Sequence, residues 1–301
     1  MTIETVPKIP DVVAHRGFSG QYPENTMISY EKAIEANATA LEGDIRLTKD
    51  GEVIMMHDTT LNRTTTGAGK TTECNWHGYI DGLTTKTNPP QPIPRFREVV
   101  DLMLRQDVID SNMYMIVDIK FDNPIEILNA VHKLLTTEFA DKMDILAKHF
   151  VIGIWHVDFL EPTQRLFKDF KMCFIGLSLT AARKYFLHTA DYLSIPFAAL
   201  TDADGQSFIK EVHEQGKYLI TWTVNDVEMM HTCVAWGVDA VVGDHVETMV
   251  KHLRHQVEAL TPEEFVKYAE SCTYLNHRRR QLYYYLLKRA MHYGSRAYIG
   301  M

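Results

Sequence analysis

The sequence predicts an α/β protein, a TIM-type (β/α)8 barrel followed by a C-terminal helical tail. Three observations carry that class. Short apolar segments recur along residues 11–242, with helical segments between most of them. Charged residues cluster where several of those segments end, the place where β/α barrels keep their chemistry. The length, 301 residues of which 46% are hydrophobic, suits one barrel domain. The expected division is a barrel over residues 1–260 and a tail over 261–301.

Val12, Val13 and Ala14 read as the end of a buried strand, and His15-Arg16-Gly17 follows where strand turns into loop. Pro23-Glu24-Asn25-Thr26 opens a helix whose apolar side is Met27, Ile28, Tyr30, Ala33 and Ile34, with Asn25 or Thr26 as its cap. Ala40–Leu47 is the second strand. Glu42 and Asp44 are two apart and so share one face. Two such carboxylates repel unless a cation lies between them, and a hard cation with oxygen ligands, Mg²⁺ or Ca²⁺, fits. A solvated strand face is the alternative.

Lys49-Asp50-Gly51 signals a turn and Glu52–Met56 a returning strand. If that turn closes a hairpin, His57 lies across from Gly43, beside Glu42 and Asp44. A histidine's ordinary pKa suits proton transfer at neutral pH. Thr59–Pro94 is polar and punctuated by Gly and Pro, an excursion over the top of the barrel. Within it TTTGAGKTT, at Thr64–Thr72, resembles a P-loop but has Thr64 where the first glycine is required, and no strand leads in; nucleotide binding is not expected.

Phe96–Leu104 is a helix, and Tyr114–Lys120 a strand ending in Asp118 and Lys120, again two apart. A charged pair at the end of a buried strand needs partners: Asp118 is a candidate third metal ligand, and Lys120 a candidate to face an anionic substrate. Pro124–Thr136 is helical. Strands follow at Phe150–Trp155, Cys173–Leu179, Tyr192–Pro196, Tyr218–Val224 and Val238–Val242. With the hairpin return set aside, eight main strands remain. Trp222, near the end of the seventh, is either a core aromatic or a wall of the substrate pocket. His132, His156, His188, His213 and His231 have no comparable company and read as fillers.

The N-terminal MTIETVPKIP shows no secretory signal, and no run of 18 apolar residues predicts a spanning helix. Cys74, Cys173, Cys233 and Cys272 are scattered, as reduced thiols of an intracellular protein would be. The chain is acidic, with 39 Asp and Glu against 31 Lys and Arg, which argues against nucleic acid. Residues 277–301 differ. They hold Arg278, Arg279, Arg280, Lys288, Arg289 and Arg296 and no acid. On a helix, Leu282, Tyr283, Leu286, Leu287, Ala290 and Met291 share a face, which suits an anionic membrane surface. A last helix packed on the acidic barrel is the alternative.

Taken in order, HRG (His15–Gly17), PENT (Pro23–Thr26), E-x-D (Glu42–Asp44), a T-x-DG turn (Thr48–Gly51), HD (His57–Asp58) and RTT (Arg63–Thr65) resemble the glycerophosphodiester phosphodiesterase family over residues 11–245. DIK at Asp118–Lys120 and WTVN at Trp222–Asn225 fit its downstream pattern. VDIKF, IGIW, IGLSL and WTVN are most similar to fungal members that resemble phosphatidylglycerol-specific phospholipase C. The resemblance implies a distorted barrel related to that of phosphatidylinositol-type phospholipase C. It implies one divalent cation on Glu42, Asp44 and Asp118, a histidine pair of His15 and His57, and Arg16 on the phosphate. Many members carry Glu at the Asp118 position; the shorter side chain leaves room for a bridging water.

The expected reaction is phospholipase C-type cleavage of a glycerol-headed, phosphatidylglycerol-like lipid at the cytoplasmic face of a membrane. The glycerol 2-hydroxyl attacks phosphorus, with His15 as first base and His57 as acid, an assignment the sequence leaves open. Three alternatives stand beside it. One is hydrolysis of soluble deacylated glycerophosphodiesters to glycerol 3-phosphate and an alcohol. The second is a phospholipase D-like cyclisation of lysolipids. The third is a non-catalytic lipid-surface module, against which the retained histidines argue.

Overall fold

The computed structural model describes residues 9–272, 274–276 and 278–299. They contain nine strands: β1 (Asp11–Ala14), β2 (Ala40–Leu47), β3 (Val53–Met55), β4 (Tyr114–Ile119), β5 (Phe150–Ile154), β6 (Lys171–Ile175), β7 (Tyr192–Pro196), β8 (Tyr218–Trp222) and β9 (Ala240–Gly243). Every expected strand is present. One is displaced: the apolar run Cys173–Leu179 predicts a strand, but β6 ends at Ile175. Ser178 then caps a helical turn, its Oγ accepting from Ala181 N at 3.2 Å. The chain divides into two compact units, residues 14–35 with 39–173, and the remainder.

In the first unit the strand order is β5–β4–β2–β3. β2 and β3 form the expected antiparallel hairpin, pairing Ile45 with Met55, Arg46 with Ile54 and Leu47 with Val53. Gly51 supplies the positive φ of the turn, 88°. Asp50 accepts from Thr48 Oγ1 at 2.7 Å and from the backbone N–H groups of Trp76 and His77 at 2.8 and 3.1 Å, so the turn also anchors the polar excursion. That excursion has a small core of its own in Leu61, Trp76, Ile80 and Ile93, packed on Ile54 and Met56 of the hairpin. Burying each such side chain contributes about 1.5–3 kcal/mol. Its TTTGAGKTT segment leads only into a three-residue 3-10 turn, Thr71–Glu73, with no helix N-terminus for a phosphate.

β2, β4 and β5 pair in parallel. α1 (Met27–Glu35) leads into β2, α2 (Phe96–Met103) lies between β3 and β4, and α3 (Glu126–Glu138) lies between β4 and β5. Phe96, Val99, Val100 and Met103 of α2, and Ile127, Leu128, Val131 and Leu135 of α3, are buried at helical spacing.

In the second unit the order is β6–β7–β8–β9–β1. β7, β8 and β9 are parallel, with Pro196 opposite Trp222 and Thr221 opposite Val241. α4 (Ala203–Glu214) is capped by Asp202, and α5 (Val227–Trp236) by Asp226 and ended by Gly237 at φ 70°. Then come α6 (Pro262–Ser271), opened by a Thr261–Glu264 capping box, and α7 (Arg278–Ile299). No described helix is long and apolar enough to cross a membrane. All four cysteines are free thiols.

Candidate active site

Strand register builds the centre of the site. Parallel pairing sets Asp44 of β2 directly opposite Asp118 of β4, and the two-residue period puts Glu42 on the same face. All three carboxylates are buried, and one oxygen of each lies within 4.8 Å of the other two. Gly43, between the two acids, must lack a side chain, because a Cβ there would meet Tyr30 Oη at 2.3 Å. Gly153 of β5 pairs with Asp118 of β4. Just beyond it, Trp155 donates from Nε1 to Asp118 Oδ1 at 2.7 Å.

Two cations share this acidic pocket. Lys120 Nζ lies 2.7 Å from Asp44 Oδ1 and 2.7 Å from Asp118 Oδ2, and packs over the Trp155 ring at 5.1 Å. The Lys120 ammonium ties two of the three carboxylates together. Arg16 follows β1 in the left-handed region, φ 56°, with Gly17 next at 79°. That turn points the Arg16 N–H at Glu42 Oε2, 2.9 Å away. The Arg16 side chain reaches Asp44 Oδ2 with Nε at 3.3 Å and Glu24 Oε1 with Nη1 at 3.0 Å.

Asn25 belongs to the site and not to the cap of α1. Its Nδ2 donates to Asp44 Oδ2 at 2.9 Å, and its Oδ1 accepts from Asp44 N at 3.1 Å and Tyr30 Oη at 2.8 Å. Thr26 does the capping, with Oγ1 accepting from Ser29 N at 3.4 Å.

His57 arrives where the hairpin register requires. Met56 N still bonds Asp44 O at 2.9 Å, and His57 is the next residue. Its Nδ1 lies 2.7 Å from Asp58 Oδ1. Arg63 binds Asp58 through Nε at 2.6 Å and Nη2 at 2.9 Å, and Glu24 through Nη1 at 2.8 Å and Nη2 at 2.7 Å. Arg16, Glu24, Arg63, Asp58 and His57 thus form one chain of ionic hydrogen bonds. Behind them the buried Arg46 donates to the His57 carbonyl and binds Asp122. His15 directly follows β1, half-buried, and its charge acts on Glu42. Trp222 is the last residue of β8.

The electrostatics follow from burial and these neighbours. Burial, reinforced by the Asp44 charge, pushes the Glu42 carboxyl up to about 7. Asp44 is held far below the carboxylate range: burial opposes this, but Lys120 and Arg16 prevail. Lys120 is raised by Asp118 and Asp44 against its own desolvation, and stays charged. His57 is lowered, first by burial and further by Arg16 and Lys120. Its imidazole is therefore neutral at neutral pH. Arg63 hydrogen bonds bring Asp58 down to about 2.

This donor set fits a divalent cation. Three buried carboxylates face the single charges of Lys120 and Arg16. Asp118 stands within the trio despite its short side chain.

The family model described as "Glycerophosphoryl diester phosphodiesterase family" matches residues 15–248. A glycerophosphodiester phosphodiesterase of Bacillus altitudinis is 25% identical over 259 residues, covering 80% of this chain and 96% of that protein. Among solved structures, a glycerophosphodiester phosphodiesterase from Thermotoga maritima is similar at TM-score 0.63 and 24% identity, covering 80% of this chain and 97% of that one. A phosphodiesterase from Oleispira antarctica, solved with the product sn-glycerol-3-phosphate, is similar at TM-score 0.63 and 20% identity, covering 81% and 97%. These likenesses show the fold, the expected TIM-type (β/α)8 barrel. On the reaction, the relatives back the soluble-diester alternative better than the phosphatidylglycerol reading.

Proposed function

The chain belongs to the glycerophosphoryl diester phosphodiesterase family and is a phosphoric diester hydrolase, and from that premise we propose that it hydrolyses soluble glycerophosphodiesters to glycerol 3-phosphate and an alcohol. The observation that carries the reading is the buried Glu42–Asp44–Asp118 trio beside a neutral His57 and Arg16. The product seen in the Oleispira antarctica phosphodiesterase supports it.

Glu42, Asp44 and Asp118 would hold the cation, Mg²⁺ or Ca²⁺, which would supply positive charge to the phosphate. Arg16 adds a fixed guanidinium on the same side. Asp58 accepts from His57 Nδ1–H and so leaves the Nε2 lone pair free to take a proton. His57 takes that proton from the glycerol 2-hydroxyl, whose oxygen attacks phosphorus. His15 gives a proton to the departing alcohol oxygen. Water then opens the cyclic phosphate with the two roles reversed. The lowered His57 favours it as first base, the reverse of the sequence-based assignment.

Phospholipase C-type cleavage of a glycerol-headed lipid is the second reading, favoured by the exposed apolar and basic face of α7. Product analysis on glycerophosphocholine and on phosphatidylglycerol vesicles separates the two. Glycerol 3-phosphate and choline from the former support the first; diacylglycerol from the latter alone supports the second.

A further inference from the structure

Six large hydrophobic side chains are well exposed among the described residues. Tyr79 and Ile125 stand singly, at 40% and 39%. The other four, Leu282, Tyr283, Tyr285 and Leu286, are 55–59% exposed and lie within two turns of α7. Surface hydrophobics scattered singly are ordinary; a contiguous group on one helix marks an interaction surface.

The helix is held by its other side. Tyr284 is only 8% exposed, 5.6 Å from the Phe197 ring, and its Oη lies 2.8 Å from Tyr274 Oη. Lys288 Nζ binds Asp202 at 2.6 Å and Arg280 Nη1 binds Glu228 at 2.5 Å. Tyr284, Arg280 and Lys288 are four apart in series, one inward stripe. The basic residues facing the body are thus matched by its carboxylates. Arg279 and Arg289 are exposed, three residues to either side of Leu282 and Leu286, on the outward face. Arg289 also covers Tyr285, donating to its Oη at 2.9 Å. Packing of Tyr284 turns the helix so that Tyr285, which sequence spacing leaves off the apolar face, is outside.

We propose that this outward face of α7 docks on an anionic lipid surface. Leucines enter the acyl boundary, tyrosines sit at headgroup depth, and flanking arginines meet lipid phosphates. Charge selects this occupant. Residues 277–301 hold six Lys or Arg and no acid, while all 39 acidic side chains lie in the rest of the chain. An anionic bilayer therefore attracts this segment and repels most of the body. A second copy meeting the face about a two-fold axis would set arginines against arginines. The proposal does not depend on which phosphodiester is cleaved.

The test uses the full chain and sedimenting vesicles of phosphatidylcholine, with or without phosphatidylserine, whose headgroup is not the glycerol of the candidate substrates. Binding to the anionic vesicles alone, weakening with salt, is expected. Replacing Arg279→Gln and Arg289→Gln together should weaken it about 25-fold, at about fivefold for each arginine. Leu282→Gln with Leu286→Gln, which leaves the Tyr284 side intact, should weaken it by about tenfold or more. Undiminished binding by the leucine variant overturns the proposal. So does equal binding to neutral vesicles, or a concentration-dependent dimer that the leucine variant dissolves. Glycerophosphocholine hydrolysis by the same proteins should be unchanged. A chain that binds vesicles yet leaves that diester intact supports the docking and overturns the proposed activity instead.

Discussion

The guanidinium of Arg46, only 3% exposed, donates to the backbone carbonyl of His57 through Nε at 3.1 Å and Nη2 at 2.6 Å, while its remaining donors bind Asp122. Arg46 shares the face of β2 that carries Glu42 and Asp44. One strand therefore presents two of the trio's acids and fixes the backbone of the candidate base. Arg46 is a positioning residue, since it acts through His57.

Replacing Arg46→Met leaves the His57 carbonyl and Asp122 without their partner. The expected cost is about 1–3 kcal/mol of stability. The turnover number should fall roughly 10–100-fold, as for other groups that orient an active residue, while KM changes little. Urea unfolding and steady-state kinetics on glycerophosphocholine check this, and Arg46→Lys should recover part of the loss.

Asp58→Asn tests the orientation of His57. As first base, His57 must be neutral, so kcat/KM should rise with pH as its proton is lost. The midpoint lies below the ordinary 6.5, because burial lowers this histidine. The Asp58 hydrogen bond opposes that lowering, so its removal shifts the midpoint further down. The plateau should also drop, by about 10²-fold. A limb that falls as pH rises through this midpoint, and that moves down in the variant, would assign His57 the acid role.

Glu42 makes the metal-free protein sensitive to pH. Its carboxyl is pushed up to about 7 from 4.5, so between those values the folded state binds a proton that the unfolded state releases. Stability then falls as pH rises through that window. A divalent cation reverses the loss, by about 2.7 kcal/mol at a hundredfold excess over Kd. Glu42→Gln should remove both the pH dependence and most of the cation-induced rise in Tm, as scanning calorimetry would read. Chelation should stop turnover.

Asn25→Ala strips partners from Asp44 and Tyr30 and places alanine at φ 57°. A loss of about 1–3 kcal/mol is expected, with a 10–100-fold weaker cation by titration calorimetry. Asn25→Gly relieves the backbone strain alone, so it should recover some stability and none of the cation affinity.

Much of this site was legible because strands repeat every two residues. The E-x-D and D-x-K spacings put each pair on a face, and the Lys49–Gly51 turn set the register that brings His57 beside Asp44. The same period marks Arg46, two residues past Asp44, as a member of that face, though its apolar company made it easy to pass over. Asn25 was ambiguous for a physical reason: an amide at a helix start serves equally as a cap or as a ligand holder. Arg63 and its double clamp lie in a loop without periodicity, where sequence spacing says nothing of distance. In α7, three tyrosines in a row are equivalent until a partner is known; Phe197 selects Tyr284.

The most direct test measures glycerol 3-phosphate and choline released from glycerophosphocholine by the native protein and by His57→Ala, each with Mg²⁺, with Ca²⁺ and with chelator. Cation-dependent release by the native protein is expected, abolished by chelator and cut roughly 10²–10⁴-fold in the variant. Release that survives both chelation and loss of His57 would contradict it.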